Sequence, residues 1–114
     1  MFPFEKLEVW KKSVIFAEKI LNFVDCIDRK DSFSLGEQLI RSVISISNNI
    51  AEGGGRNNKK EKVYFYNVAK GSVYEVVNLL EICKRRLYLH EENHRLFYNE
   101  TEEISKMLSG LMAS

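Results

Sequence analysis

A chain of 114 residues with 45% apolar residues and a formal charge of +1 holds one domain with a single core, and neither an extended disordered region nor a uniformly basic surface. One proline and six glycines, three of them consecutive, leave long runs free of helix breakers and exclude a sheet protein with its regularly spaced turns. The fold class expected is all-α, a single domain over residues 1–114, built as an antiparallel up-down-up-down four-helix bundle.

Helix one is predicted from about Phe4 to Cys26, with Leu7, Trp10, Val14, Ala17, Leu21 and Val24 as its core seam at alternating steps of three and four. Asp25 to Ser34 is polar. Ser34 with Glu37 fits a capping box, so helix two is predicted to begin near Leu35. Its seam is Leu35, Leu39, Val43, Ile46 and Ile50, and Gly53 is predicted to end it in a left-handed cap. Asn58 and Glu61 form a second capping pair ahead of helix three, roughly Lys59 to Tyr88, with the seam Tyr66, Ala69, Val73, Val76, Leu80, Cys83 and Leu87. Helix four is predicted over roughly Glu91 to Met112, carrying Phe97, Thr101, Ile104, Leu108 and Leu111.

The chemistry-bearing residues concentrate on helices two and three. Ser45, Asn48, Asn49 and Glu52 fall on one side of helix two, and Ser72 and Glu75 answer from helix three. Ser45, Asn49, Glu52, Ser72 and Glu75 are expected to form a hydrogen-bonded network that fixes helix register, since buried polar groups need partners. The same residues lack a histidine for nucleophilic catalysis, because His90 and His94 fall at the far end of helix three and the start of helix four. No enzyme activity, cofactor or metal site is expected. Cys26 and Cys83 lack metal-ligand spacing and are expected as reduced, core-facing thiols. The glycine triplet follows a helix and lacks the Gly-Lys-Ser/Thr ending of a phosphate loop, so it reads as a hinge.

Charge is distributed unevenly. Residues 53–90 carry eight basic side chains against three acidic ones, whereas residues 91–114 carry two against five. Arg56, Lys59, Lys60 and Lys62 gather at the start of helix three, and Lys84, Arg85 and Arg86 at its end; both groups are candidate contacts to RNA or DNA phosphates. Cations suit a helix C-terminus whatever the function but are unfavourable at an N-terminus, which makes the first group the better candidate. Val9, Phe16, Phe23, Phe33, Phe65, Val77 and Tyr98 lie off the seams and are expected to mark subunit contacts of a homo-oligomer. A protein-partner scaffold docking through Phe16, Phe23 or Phe65 is the alternative function. With no leader-like start and no long apolar window, a soluble cytoplasmic protein without membrane contact is expected.

Four segments carry a family resemblance: Phe4-Glu5-Lys6-Leu7-Glu8-Val9-Trp10, Leu35 through Ser42, Ser45-Ile46-Ser47-Asn48-Asn49-Ile50-Ala51-Glu52-Gly53 through Arg56, and Ala69-Lys70-Gly71-Ser72-Val73-Tyr74-Glu75. In combination they resemble a bacterial family of four-helix-bundle proteins, some encoded by intervening sequences in 23S ribosomal RNA genes and also called the S23 ribosomal protein family. That resemblance implies an antiparallel bundle assembled into a ring, a homopentamer, without enzymatic activity. A more distant likeness, to the accessory proteins of diversity-generating retroelements, implies binding of nucleic acid and protein through a basic surface.

Overall fold

The computed structural model describes residues 1–114 as four long helices: α1 Glu8–Val24, α2 Glu37–Gly54, α3 Lys59–Arg85 and α4 Glu91–Ala113. The bundle measures 44 × 23 × 22 Å. Cross-helix pairs fix the directions. Gly53 meets Tyr66 while Ser42 meets Glu75, so α2 and α3 run antiparallel. Lys70 meets Ser109 while Glu81 meets His94, so α3 and α4 do too. No helix is long and apolar enough to cross a membrane.

The start of α1 differs from the expectation. Pro3–Lys6 forms a separate 3₁₀ turn, and Leu7 is extended (φ −77°, ψ 123°), so the chain bends before α1 begins at Glu8. The bend lays Phe4 across the end of α2, where its Trp10 contact is edge-on at 5.0 Å between centroids. The buried face of α1 is also rotated from the predicted seam. Val9, Ser13, Phe16, Ala17 and Ile20 are buried, whereas Leu21 is exposed and Leu7, Trp10, Val14 and Val24 only half-buried. Apolar residues surround α1, so two seams with the same spacing compete. The winning seam contains a serine, and Ser13 satisfies its hydroxyl by donating to the Trp10 carbonyl at 2.7 Å, leaving Phe16 free to fill the centre. Val9 and Phe16 are therefore core, not surface, and Phe16 cannot dock a partner.

Between α1 and α2, a helical turn (Arg29–Asp31) runs into a π-helical turn (Ser32–Gly36) and on into α2 without a break. The Ser34–Glu37 capping box does not form, because a continuous helix leaves no free first-turn amide to cap there; Ser34 instead donates to the Asp31 carbonyl at 3.3 Å. The π turn buries Leu35 and Gly36 and turns Phe33 outward. Cys26, just past the end of α1, is exposed, contrary to its expected core position. Cys83 is buried, and loss of water pushes its thiol up to about 11.

Two helix ends also depart from expectation. α2 continues through Gly54, and Gly55 caps it with φ −90°; no glycine takes a positive φ. The glycines serve close approach instead. A Cβ on Gly53 would stand 2.7 Å from the buried Tyr66 ring, and one on Gly54 2.8 Å from Phe4 Cβ. At the end of α3, Leu87 takes the left-handed conformation (φ 68°). Tyr88 N–H donates to the Cys83 carbonyl and Leu87 N–H to that of Lys84, each at 3.0 Å, which is the Schellman closure usually given to glycine. Leu87 is thereby 87% exposed, not part of the seam, at a cost of about 1–2 kcal/mol. The rest of the α3 seam, Tyr66 through Cys83, is buried as predicted. In α4, Thr101, Ile104 and Leu108 are buried, with Phe97 and Leu111 packed half-buried beside them.

The glycines of α2 and α3 give a direct check. Gly71 lies mid-helix with nothing within 4 Å of a Cβ, so Gly71→Ala should stabilise by about 0.5–1 kcal/mol through helix propensity alone. Gly53→Ala should instead lower the denaturation midpoint, because overpacking of about 1–3 kcal/mol outweighs that gain. Equal effects at both positions in urea melts would show that Gly53 is not a packing site.

Candidate nucleic-acid interface

The polar residues of α2 and α3 assemble into a hydrogen-bonded stitch. Ser45 and Ser72 hydroxyls are 2.8 Å apart, and Asn49 Nδ2 donates to Ser45 Oγ (3.1 Å) and to the Ser45 carbonyl (2.8 Å). Ser72 donates its one proton to the Val68 carbonyl at 3.3 Å, so the Ser45 hydroxyl donates to Ser72. Ser42 donates to Glu75 Oε2 at 3.3 Å, one turn further on. Ser42 was missed by the sequence reading, although it stands three residues before Ser45 on the same side. Glu52 stands apart from the stitch and pairs with Arg56. No buried side-chain polar atom in the chain lacks a partner.

At the start of α3 the four candidate cations have different environments. Arg56 bonds Glu52 Oε2 at 2.6 Å and places its guanidinium 4.7 Å from the centroid of the Phe65 ring. Lys62 reaches back to the Gly53 and Gly54 carbonyls, each at 3.4 Å, and so complements the negative end of α2. A lysine early in α3 is thus favourable because a neighbouring helix ends beside it. The expected Asn58–Glu61 cap forms: the Glu61 N–H donates to Asn58 Oδ1 at 2.9 Å, and Asn58 Nδ2 donates to Glu61 Oε2 at 3.2 Å. Lys59 and Lys60 are exposed, and neither has an acidic partner.

At the other end of α3, all three candidates are paired. Lys84 and Arg85 share Glu81 at 3.7 and 2.9 Å, and His94 approaches the same carboxylate at 3.6 Å. The Arg85 hydrogen bond holds the Glu81 carboxyl below its ordinary range. Arg86 bonds Asp31 Oδ2 at 2.8 Å, and the Tyr88 hydroxyl donates to the same oxygen. Asp31 is consequently held below the usual aspartate range, first by the Tyr88 hydroxyl and then by Arg86, while Tyr88 is pushed up by the carboxylate. This tie fastens the α1–α2 connection to the end of α3. It joins residues 55 and 57 positions apart, a distance at which no local pattern signals it. The two basic groups stand at opposite ends of a 27-residue helix, about 40 Å apart, and cannot form one patch within a subunit.

No group of three or more His, Cys, Asp or Glu side chains comes together as a metal site. The family model described as 23S rRNA-intervening sequence protein matches residues 5–110. The chain belongs to that family. Among solved structures, it is similar to a protein of unknown function from the S23 ribosomal protein family of Bacteroides thetaiotaomicron VPI-5482, with 27% identity and a TM-score of 0.86 over 93% of this chain and 96% of that one. A comparison with curated proteins yields no significant match. The family assignment covers all four helices and agrees with the motifs in the sequence, among them the Ser45–Arg56 stretch that now forms the stitch and the basic corner.

The Asp31 tie predicts a pH dependence. A carboxyl depressed in the folded state stabilises above its unfolded pKa, and that contribution is lost as the pH falls through the folded one. Asp31→Asn should therefore lower the melting temperature at neutral pH. It should lose less than the parent on acidification to about pH 3. Equal acid losses in the two proteins would contradict the tie.

Proposed function

We propose that this is a non-enzymatic, oligomeric cytoplasmic bundle that binds RNA or DNA through phosphate contacts at the start of α3, without reading sequence through those contacts. The observation that carries the reading is the pair Lys59 and Lys60, exposed and free of acidic partners, beside Arg56 and Lys62 at the same corner. The family's description names 23S rRNA, which makes RNA the first nucleic acid to try. Lys84, Arg85 and Arg86 are assigned a lesser part, since each would have to leave a carboxylate to meet a phosphate.

Two free lysines per subunit make a weak site alone, and repetition around an oligomer multiplies it through effective concentration. A surface for self-association lies between α3 and α4. There Tyr74 and Tyr98, 60% and 42% exposed, flank a groove of about 220 Å³ over Val73, Val77 and Thr101. Five copies is the number that the family resemblance implies.

Lys59→Glu/Lys60→Glu protein should melt like the parent and lose RNA and duplex DNA binding in fluorescence anisotropy. For the parent, log K should fall with log salt with a slope of about −0.7 to −0.9 per phosphate contact. A flat salt response would rule the reading out and favour a protein scaffold. Sedimentation should give the parent a mass several times its 13.3 kDa chain, and Tyr74→Asp should return it toward the monomer. An unchanged mass for Tyr74→Asp would place the subunit contact elsewhere.

A further inference from the structure

A cleft of about 660 Å³ opens beside the basic corner, between the N-terminal arm and the end of α2. Its two walls differ in chemistry. One is aromatic: the Phe2 and Phe4 rings lie nearly parallel (8°) with centroids 6.1 Å apart, and Phe2 is 69% exposed. The arm that carries them is held in place. Phe2 N–H donates to Glu5 Oε1 at 2.8 Å, and Phe4 packs on Gly54 and Trp10. The other wall is polar, with Asn48, Glu52 and Arg56 recurring every four residues. Lys59 and Lys60 follow three and four positions beyond Arg56.

An apolar aromatic wall facing a carboxylate, an amide and a guanidinium suits a flat ring that is apolar on its face and polar on its edge. Free cations alongside suit the phosphate attached to such a ring. We infer that the cleft takes an unpaired guanine of a single-stranded segment, its face against Phe2 and its edge toward Glu52. Guanine fits because its Watson–Crick edge carries two adjacent donors, N1–H and the N2 amino group, which a carboxylate accepts together. Adenine and cytosine each set an acceptor beside their donor and would meet the Glu52 oxygens unfavourably. This inference rests on the nucleic-acid reading above and adds to it a discrimination that lysine–phosphate contacts cannot supply.

The test uses the full chain with its N-terminus untagged and labelled oligouridine carrying one central guanosine or one central adenosine. A fully paired duplex serves as the third probe. The parent should bind the guanosine strand best. Phe2→Ala, a change at an exposed side chain, should weaken that strand by about tenfold while leaving duplex binding and sedimented mass unchanged. Glu52→Gln should abolish the preference for guanosine over adenosine. Undiminished guanosine-strand binding by Phe2→Ala would overturn the inference and leave the phosphate-contact reading standing. No binding of any probe by the parent would overturn both. A changed mass for Phe2→Ala would assign the cleft to a subunit contact and overturn the inference alone.

Discussion

The close approach of α2 to α3 at Gly53 is the constraint on which the rest of the molecule depends. With no side chain at residue 53, the Tyr66 ring lies directly against the α2 backbone, and the Phe65 Cβ comes within 3.1 Å of where a Cβ would stand. That contact sets the helix spacing that the Ser45–Ser72 and Ser42–Glu75 bonds then require. The helix α2 runs one residue past the expected glycine stop, to Gly54, where the arm bearing Phe4 closes over it. The register of the bundle and the shape of its basic corner follow from one missing side chain.

Charge placement obeys the same economy. Most cations near the bundle ends are occupied: Lys62 by the α2 carbonyls, Arg56 by Glu52, Lys84 and Arg85 by Glu81, Arg86 by Asp31. Exposed pairs of this kind contribute little each. Their effect is to cancel local charge, which leaves Lys59 and Lys60 as the adjacent, unneutralised cations at the start of α3. A near-neutral chain can in this way present a small positive corner, and the reason is pairing geometry, not composition.

Helix number, order and most of the core were legible in the sequence because α2, α3 and α4 each have one apolar stripe. Leu39, Val43, Ile46 and Ile50 on α2, and Tyr66 through Cys83 on α3, could be buried on only one face. α1 misled because apolar residues surround it, and the choice between its two seams is made by which one places Phe16 among α2 and α4 neighbours, a tertiary fact. The Ser34–Glu37 pattern misled because a π turn carries the helix straight through it. Glycines 53 and 54 were visible as a helix end but not as packing sites, since their neighbours Tyr66 and Phe4 are brought in by the fold. At the candidate site, the residue types and the basic asymmetry could be read directly. Which cations are free could not, because the Asp31–Arg86 and Lys62–Gly53 partners come from other elements.

On the reading proposed above, nucleic acid meets this bundle at the corner at the start of α3. Lysine footprinting tests it most directly: amine acetylation of the parent protein at low salt, with and without bound RNA, read residue by residue by mass spectrometry. RNA should protect Lys59 and Lys60 strongly and Lys84 weakly at most, while Lys30 remains as reactive as in the free protein. Unchanged reactivity at Lys59 and Lys60 with RNA bound, or protection confined to Lys84, would contradict the reading.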